Sequence, residues 1–112
     1  MITVNSDYPH GLSSRDIKTI QLIFRPYLDE IERVGLFGSR ATGTYKPYSD
    51  IDFVLFGEKI SETLVNKLLG LFEESSLPYK VDIVAYHHIK KPELITHIDK
   101  VVLFLNDLSN FK

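Results

Sequence analysis

Apolar residues recur at Ile17, Ile20, Phe24, Tyr27, Leu28 and Ile31, the three-to-four spacing of one helix face. Ser13, with Asp16 three places on, predicts where that helix starts, because each side chain can bond the other's free backbone N–H in a capping box. Pro26 falls inside the pattern and predicts a kink or a division of the helix. Val34-Gly35-Leu36-Phe37 reads as a short buried strand running into Gly38-Ser39, followed by a helical turn over Arg40-Ala41-Thr42-Gly43 and a polar loop through Tyr45, Pro47 and Tyr48. Asp50 to Phe56 reads as a second strand closed by Gly57. A second helix is expected from Ser61, with Glu62 in its first turn and Leu64, Leu68, Leu71 and Phe72 facing inward. Tyr79 to Ala85 reads as a third strand, Pro92 suits the first turn of a third helix, and Val101 to Leu105 is either a last short strand or a helix end. This alternation predicts an α/β fold: one small mixed β-sheet with helices packed on it. Only the first dozen residues, broken by Pro9, His10 and Gly11, lack a pattern.

Composition narrows the picture. With 112 residues, 44% hydrophobic and 25% charged, the chain is expected to form one compact domain over 1–112. The sequence has no cysteine, which excludes disulfides, thiolate zinc sites and cysteine nucleophiles. No apolar run approaches the ~20 residues that span a bilayer, and the start, Met1-Ile2-Thr3-Val4-Asn5, lacks signal-peptide character. A cytoplasmic protein is the expectation. Thirteen basic and fifteen acidic residues leave a formal charge of −2, which weighs against a broad electrostatic grip on nucleic acid.

The candidate chemistry lies in three carboxylates. Asp50 and Asp52 are two apart on a strand, so they share one side, about 7 Å apart along the chain. Ile51 and Phe53 point the other way. Asp82 repeats the pattern one strand later, between Val81 and Ile83. If the two strands are neighbours, the three carboxylates share one locality. Two carboxylates about 5 Å apart repel by about 3 kcal/mol at an effective dielectric near 20, so either their pKa values rise or a cation sits between them. Oxygen-only ligands suit Mg²⁺ or Mn²⁺, and two such ions form the usual apparatus of in-line phosphoryl or nucleotidyl transfer. Gly38-Ser39, at a strand end and the entry to a helical turn, supplies backbone N–H groups and a hydroxyl for phosphate, and Arg40 is placed to add charge, with its direction left open by the sequence. The Walker spacing is absent.

Gly38-Ser39, ten residues, then Asp50-Ile51-Asp52 resembles the signature of the DNA polymerase beta superfamily of nucleotidyltransferases. The fuller stretch Leu36-Phe37-Gly38-Ser39-Arg40-Ala41-Thr42-Gly43, with Ser49-Asp50-Ile51-Asp52, is most similar to the minimal nucleotidyltransferases (the MNT group). Thr42 departs from the pattern, because a basic residue is common there. The resemblance implies the polymerase beta-like fold, with a third carboxylate on the later strand, which matches Asp82. It implies ATP as substrate, Asp50, Asp52 and Asp82 as catalytic residues and ligands of two Mg²⁺ or Mn²⁺ ions, and Gly38, Ser39 and Arg40 as nucleotide-binding residues. It also implies a partner: an all-helical HEPN-domain ribonuclease toxin, silenced when AMP is transferred to a tyrosine hydroxyl near its active site. The chain would then be an antitoxin. Two other readings stay open at this point, an antitoxin that inhibits by occlusion alone and a nucleotidyltransferase acting on a small molecule.

The remaining polar residues read as ordinary surface. His87-His88 cannot share one ion from a strand and reads as a strand end or loop. His10 and His97 have no partner at ligand spacing and are expected to be solvated, as are Lys90 and Lys91. Tyr45 and Tyr48 flank Lys46 in the loop before Asp50, where they would stack on a base, meet a partner or cap the core edge. A minimal domain has no second lobe to cover a nucleotide, so the lid or the acceptor surface is expected from another subunit, in a complex or a homo-oligomer.

Overall fold

The structure, a computed structural model, describes residues 10–105. Helix α1 spans Ser14–Phe24 and opens with the expected capping box: Ser13 Oγ accepts from Asp16 N at 3.0 Å, and Asp16 Oδ2 accepts from Ser13 N at 3.1 Å. Pro26 divides the helical pattern, and the chain continues as a 3-10 turn over Arg25–Tyr27, as expected where a proline ring removes a donor and crowds the preceding turn. There follow β1 (Arg33–Phe37), the one-turn helix α2 (Ser39–Thr42), β2 (Ile51–Phe56), α3 (Glu62–Glu73), β3 (Val81–Ala85), a 3-10 turn (Tyr86–His88), α4 (Pro92–Val101) and β4 (Leu103–Phe104). Ser61 caps α3 by accepting from Leu64 N. The Val101 to Leu105 segment is both a helix end and a strand.

Among the described residues, four strands form one mixed sheet in the order β3-β2-β1-β4. β1 lies antiparallel to β2 and β4, and β2 lies parallel to β3. Helix α3 makes the crossover that a parallel pair requires. Side-chain alternation along β2 then sorts the two faces. Ile51, Phe53 and Leu55 enter the main core with residues of α1 and α3. There Phe24, Phe53 and Phe72 meet pairwise with centroids 5.2 to 5.4 Å apart, a geometry that adds about 0.5–1.5 kcal/mol per pair beyond area burial. The opposite face carries Phe37 and Val54, packed under Ile98 of α4. Gly35 permits this second layer to sit close, because a side chain there would collide with Val102 Cγ2. Asp52, two residues before Val54, shares this α4 face at its polar end. No helix among the described residues is long and apolar enough to cross a membrane.

Candidate active site

The site is set by strand register. Phe37 stands opposite Asp52 across the β1–β2 pair, and Asp52 stands opposite Asp82 across the β2–β3 pair. Gly38 follows Phe37 directly, with φ +72°, a conformation that a side chain rarely tolerates. The Asp52 carboxylate lies so close to Gly38 that a methyl group on that residue would overlap Oδ2. Glycine is thus required twice, for the turn and for the approach of the carboxylate. The turn closes on itself: Ala41 N and Thr42 N donate to Gly38 O at 3.0 and 3.1 Å, and Gly43 N donates to Ser39 O at 3.0 Å. Ser39 is half-buried at its edge.

The electrostatics follow from this packing. Asp52 is half-buried, while Asp50 and Asp82 are exposed. Burial pushes the Asp52 carboxyl above its ordinary value, the negative charges of Asp82 and Asp50 push it further, and His97 pulls it back. Register therefore brings three like charges within range of one another. Among the described residues, no three acidic or histidine side chains are gathered closely enough to hold a metal ion as they stand. The donor chemistry nevertheless suits a hard divalent cation: every candidate ligand is a carboxylate oxygen, and a cation would offset the repulsion that adds to burial in raising Asp52.

Three expectations need correction. Arg40 does not offer its charge to a nucleotide. Its side chain is 1% exposed, Nε and Nη2 donate to Ser49 O at 3.2 and 3.0 Å, and Nη1 donates to His10 O at 2.9 Å. The guanidinium also lies 4.5 Å from the Tyr79 ring centroid and 5.2 Å from that of Tyr45. A helical turn of only four residues left its direction open, and the core side won. His10 is buried rather than solvated. Its Nδ1 accepts from Leu12 N at 3.1 Å, and burial followed by the nearby Arg40 charge lowers its pKa. His97 is half-buried, its ring 6.3 Å from Phe37, and it acts on Asp52. The sequence carried a signal for it, since Leu94, His97, Ile98 and Val101 form one stripe at helical spacing on α4.

His87 and His88 are exposed in a 3-10 turn. Tyr45 packs on Gly11 and Arg40, whereas Tyr48 stands 81% exposed.

A family model described as "Polymerase beta, Nucleotidyltransferase" matches residues 18–108. The chain belongs to this nucleotidyltransferase family. The four-stranded mixed sheet and its helices are the family fold. A curated relative of the chain, "Probable protein adenylyltransferase MntA" of Haemophilus influenzae, is 31% identical over 74 residues, which cover 65% of this chain and 64% of the relative. The chain thus matches a little under two thirds of that relative's length. Two crystal structures share the fold. One is a toxin-antitoxin with AMP-PNP, with TM-score 0.64 and 22% identity, and the other a mutant MntA-HpeT toxin-antitoxin, with TM-score 0.62 and 18% identity. Each match covers 79% of this chain and 70% of the other.

Proposed function

We propose that this nucleotidyltransferase transfers AMP from ATP to a tyrosine hydroxyl of a HEPN-type ribonuclease toxin, and that it is the antitoxin of that pair. The observation that carries the reading is the register that sets Asp52 between the Gly38 turn and Asp82. The relative's name, a protein adenylyltransferase, and the toxin-antitoxin neighbours support a protein acceptor and a toxin partner; the tyrosine and the HEPN type rest on the resemblance of the sequence motifs.

Asp50, Asp52 and Asp82 would hold divalent magnesium or manganese. Bound there, the metal supplies positive charge against the triphosphate and acidifies the attacking hydroxyl. The backbone of Gly38 and Ser39, with the Ser39 hydroxyl, binds the β- and γ-phosphates and fixes the α-phosphorus in front of the carboxylates. The tyrosine oxygen attacks that phosphorus. Its proton passes to the Asp82 carboxylate, the bond to the β-phosphate oxygen breaks, and pyrophosphate leaves. Asp52, half-buried and wedged against the turn, keeps the reacting groups in line, which is where most of the rate enhancement of such transfers arises.

The test is labelling of the partner with radioactive ATP. Asp50→Asn and Asp52→Asn should abolish transfer while the circular dichroism spectrum stays unchanged, and Asp82→Asn should be severe. Near wild-type labelling by either of the first two would remove the carboxylate assignment.

A further inference from the structure

We propose that Arg40 is a positioning residue for nucleotidyl transfer: its buried guanidinium sets the backbone at Ser49, and so the placement of Asp50 and Asp52, relative to the Gly38–Ser39 turn. The inference rests on the reading of those carboxylates as catalytic. A guanidinium is costly to bury, and it is retained where its rigid fork of donors is used. Here Nε and Nη2 close on one acceptor, Ser49 O, and Nη1 on another, His10 O. Each of these acceptors is a backbone carbonyl, so the contacts fix the course of the chain rather than the position of another side chain.

The connectivity gives the contacts a purpose. Arg40 lies two residues after Gly38, Ser49 lies directly before Asp50, and Tyr79, on which the guanidinium packs at 4.5 Å, lies three before Asp82. One buried side chain thus touches the three segments that carry the phosphate turn, the Asp50–Asp52 pair and Asp82. The junction of the last two is closed by Ile51 N donating to Lys80 O at 2.9 Å. The turn keeps its own backbone bonds, so loosening Arg40 displaces the carboxylates more than the phosphate-binding groups.

Arg40→Lys keeps a charge beside Tyr79 but loses the fork on Ser49 O. Two readouts are compared with wild type: hydrogen exchange of the Ile51 amide, and kcat and KM for AMP transfer from ATP and Mg²⁺. The expected result is exchange faster by about tenfold at Ile51 and kcat lower by about 100-fold, the cost of a reacting group misplaced by about 1 Å. KM for ATP should stay within about threefold of wild type. Wild-type kcat in this variant overturns the proposal, and so does an equal loss carried entirely by KM. If Arg40→Lys does not fold, Arg40→Ala soaked in guanidinium ion replaces it. Recovery of kcat with guanidinium but not with methylammonium supports positioning, and no recovery overturns it. If wild type itself transfers no AMP, the functional reading fails separately, and unchanged Ile51 exchange in Arg40→Lys then overturns the positioning role alone.

Discussion

Asp52→Asn should make the metal-free protein more stable while it removes transfer. Asp52 carries a pKa raised above its ordinary value of 3.8, by burial first and then by Asp82 and Asp50. Between 3.8 and the raised value the native state holds a proton that the unfolded chain has released. Stability therefore falls as pH rises through that window, and the penalty persists above it. Facing residues on neighbouring strands stand about 5 Å apart, and two charges at that separation cost about 3 kcal/mol at a dielectric near 20 and about 0.8 kcal/mol in water. Asp82 and Asp50 are exposed, which favours the lower part of that range, about 1 to 2 kcal/mol. For a domain near 100 residues this is a rise in Tm of about 5–10 °C. The assay is thermal unfolding in EDTA across pH, wild type beside Asp52→Asn. The variant should gain its advantage as pH rises from 3.8 and hold it at neutrality. Added Mg²⁺ should stabilise wild type and leave the variant nearly unmoved. A variant no more stable than wild type at neutral pH, or equally advantaged below 3.8, would refute the repulsion argument.

Gly38→Ala should end transfer and cost about 1–3 kcal/mol, since it combines strain at φ +72° with a collision at Asp52; denaturant unfolding and the labelling assay measure both. His10 has a lowered pKa, so its contribution is lost as pH falls below its ordinary 6.5, where the unfolded chain takes up a proton the native state refuses. His10→Asn should flatten that acid slope in urea titrations relative to wild type. Phe72→Ala removes one ring of the three-ring cluster and should cost about 3–5 kcal/mol in the same titrations.

Much of the architecture was legible because local rules and tertiary packing agree. Ser13 and Asp16 form their capping box within one turn, so no distant contact could overrule it. Pro26 acts through its own ring. The alternation Asp50-Ile51-Asp52-Phe53 already separated a wet face from a dry one, and Ile51 and Phe53 are fully buried. What was illegible depends on partners far along the chain. The direction of Arg40 is set by carbonyls at His10 and Ser49, and the burial of His10 by that same arginine and the chain around it. His97 reaches Asp52 only because α4 folds back over the far face of β2. The strand read over Val34 to Phe37 begins one residue earlier, at Arg33, whose backbone pairs with Phe56 and whose guanidinium stacks on Phe104 at 4.0 Å.

The most direct measurement of the central claim is the intact mass of the proposed toxin partner after incubation with this protein, ATP and Mg²⁺. The account predicts a gain of whole AMP units on a tyrosine, absent with Asp52→Asn. A stable complex whose partner keeps its original mass would contradict it and leave inhibition by contact alone.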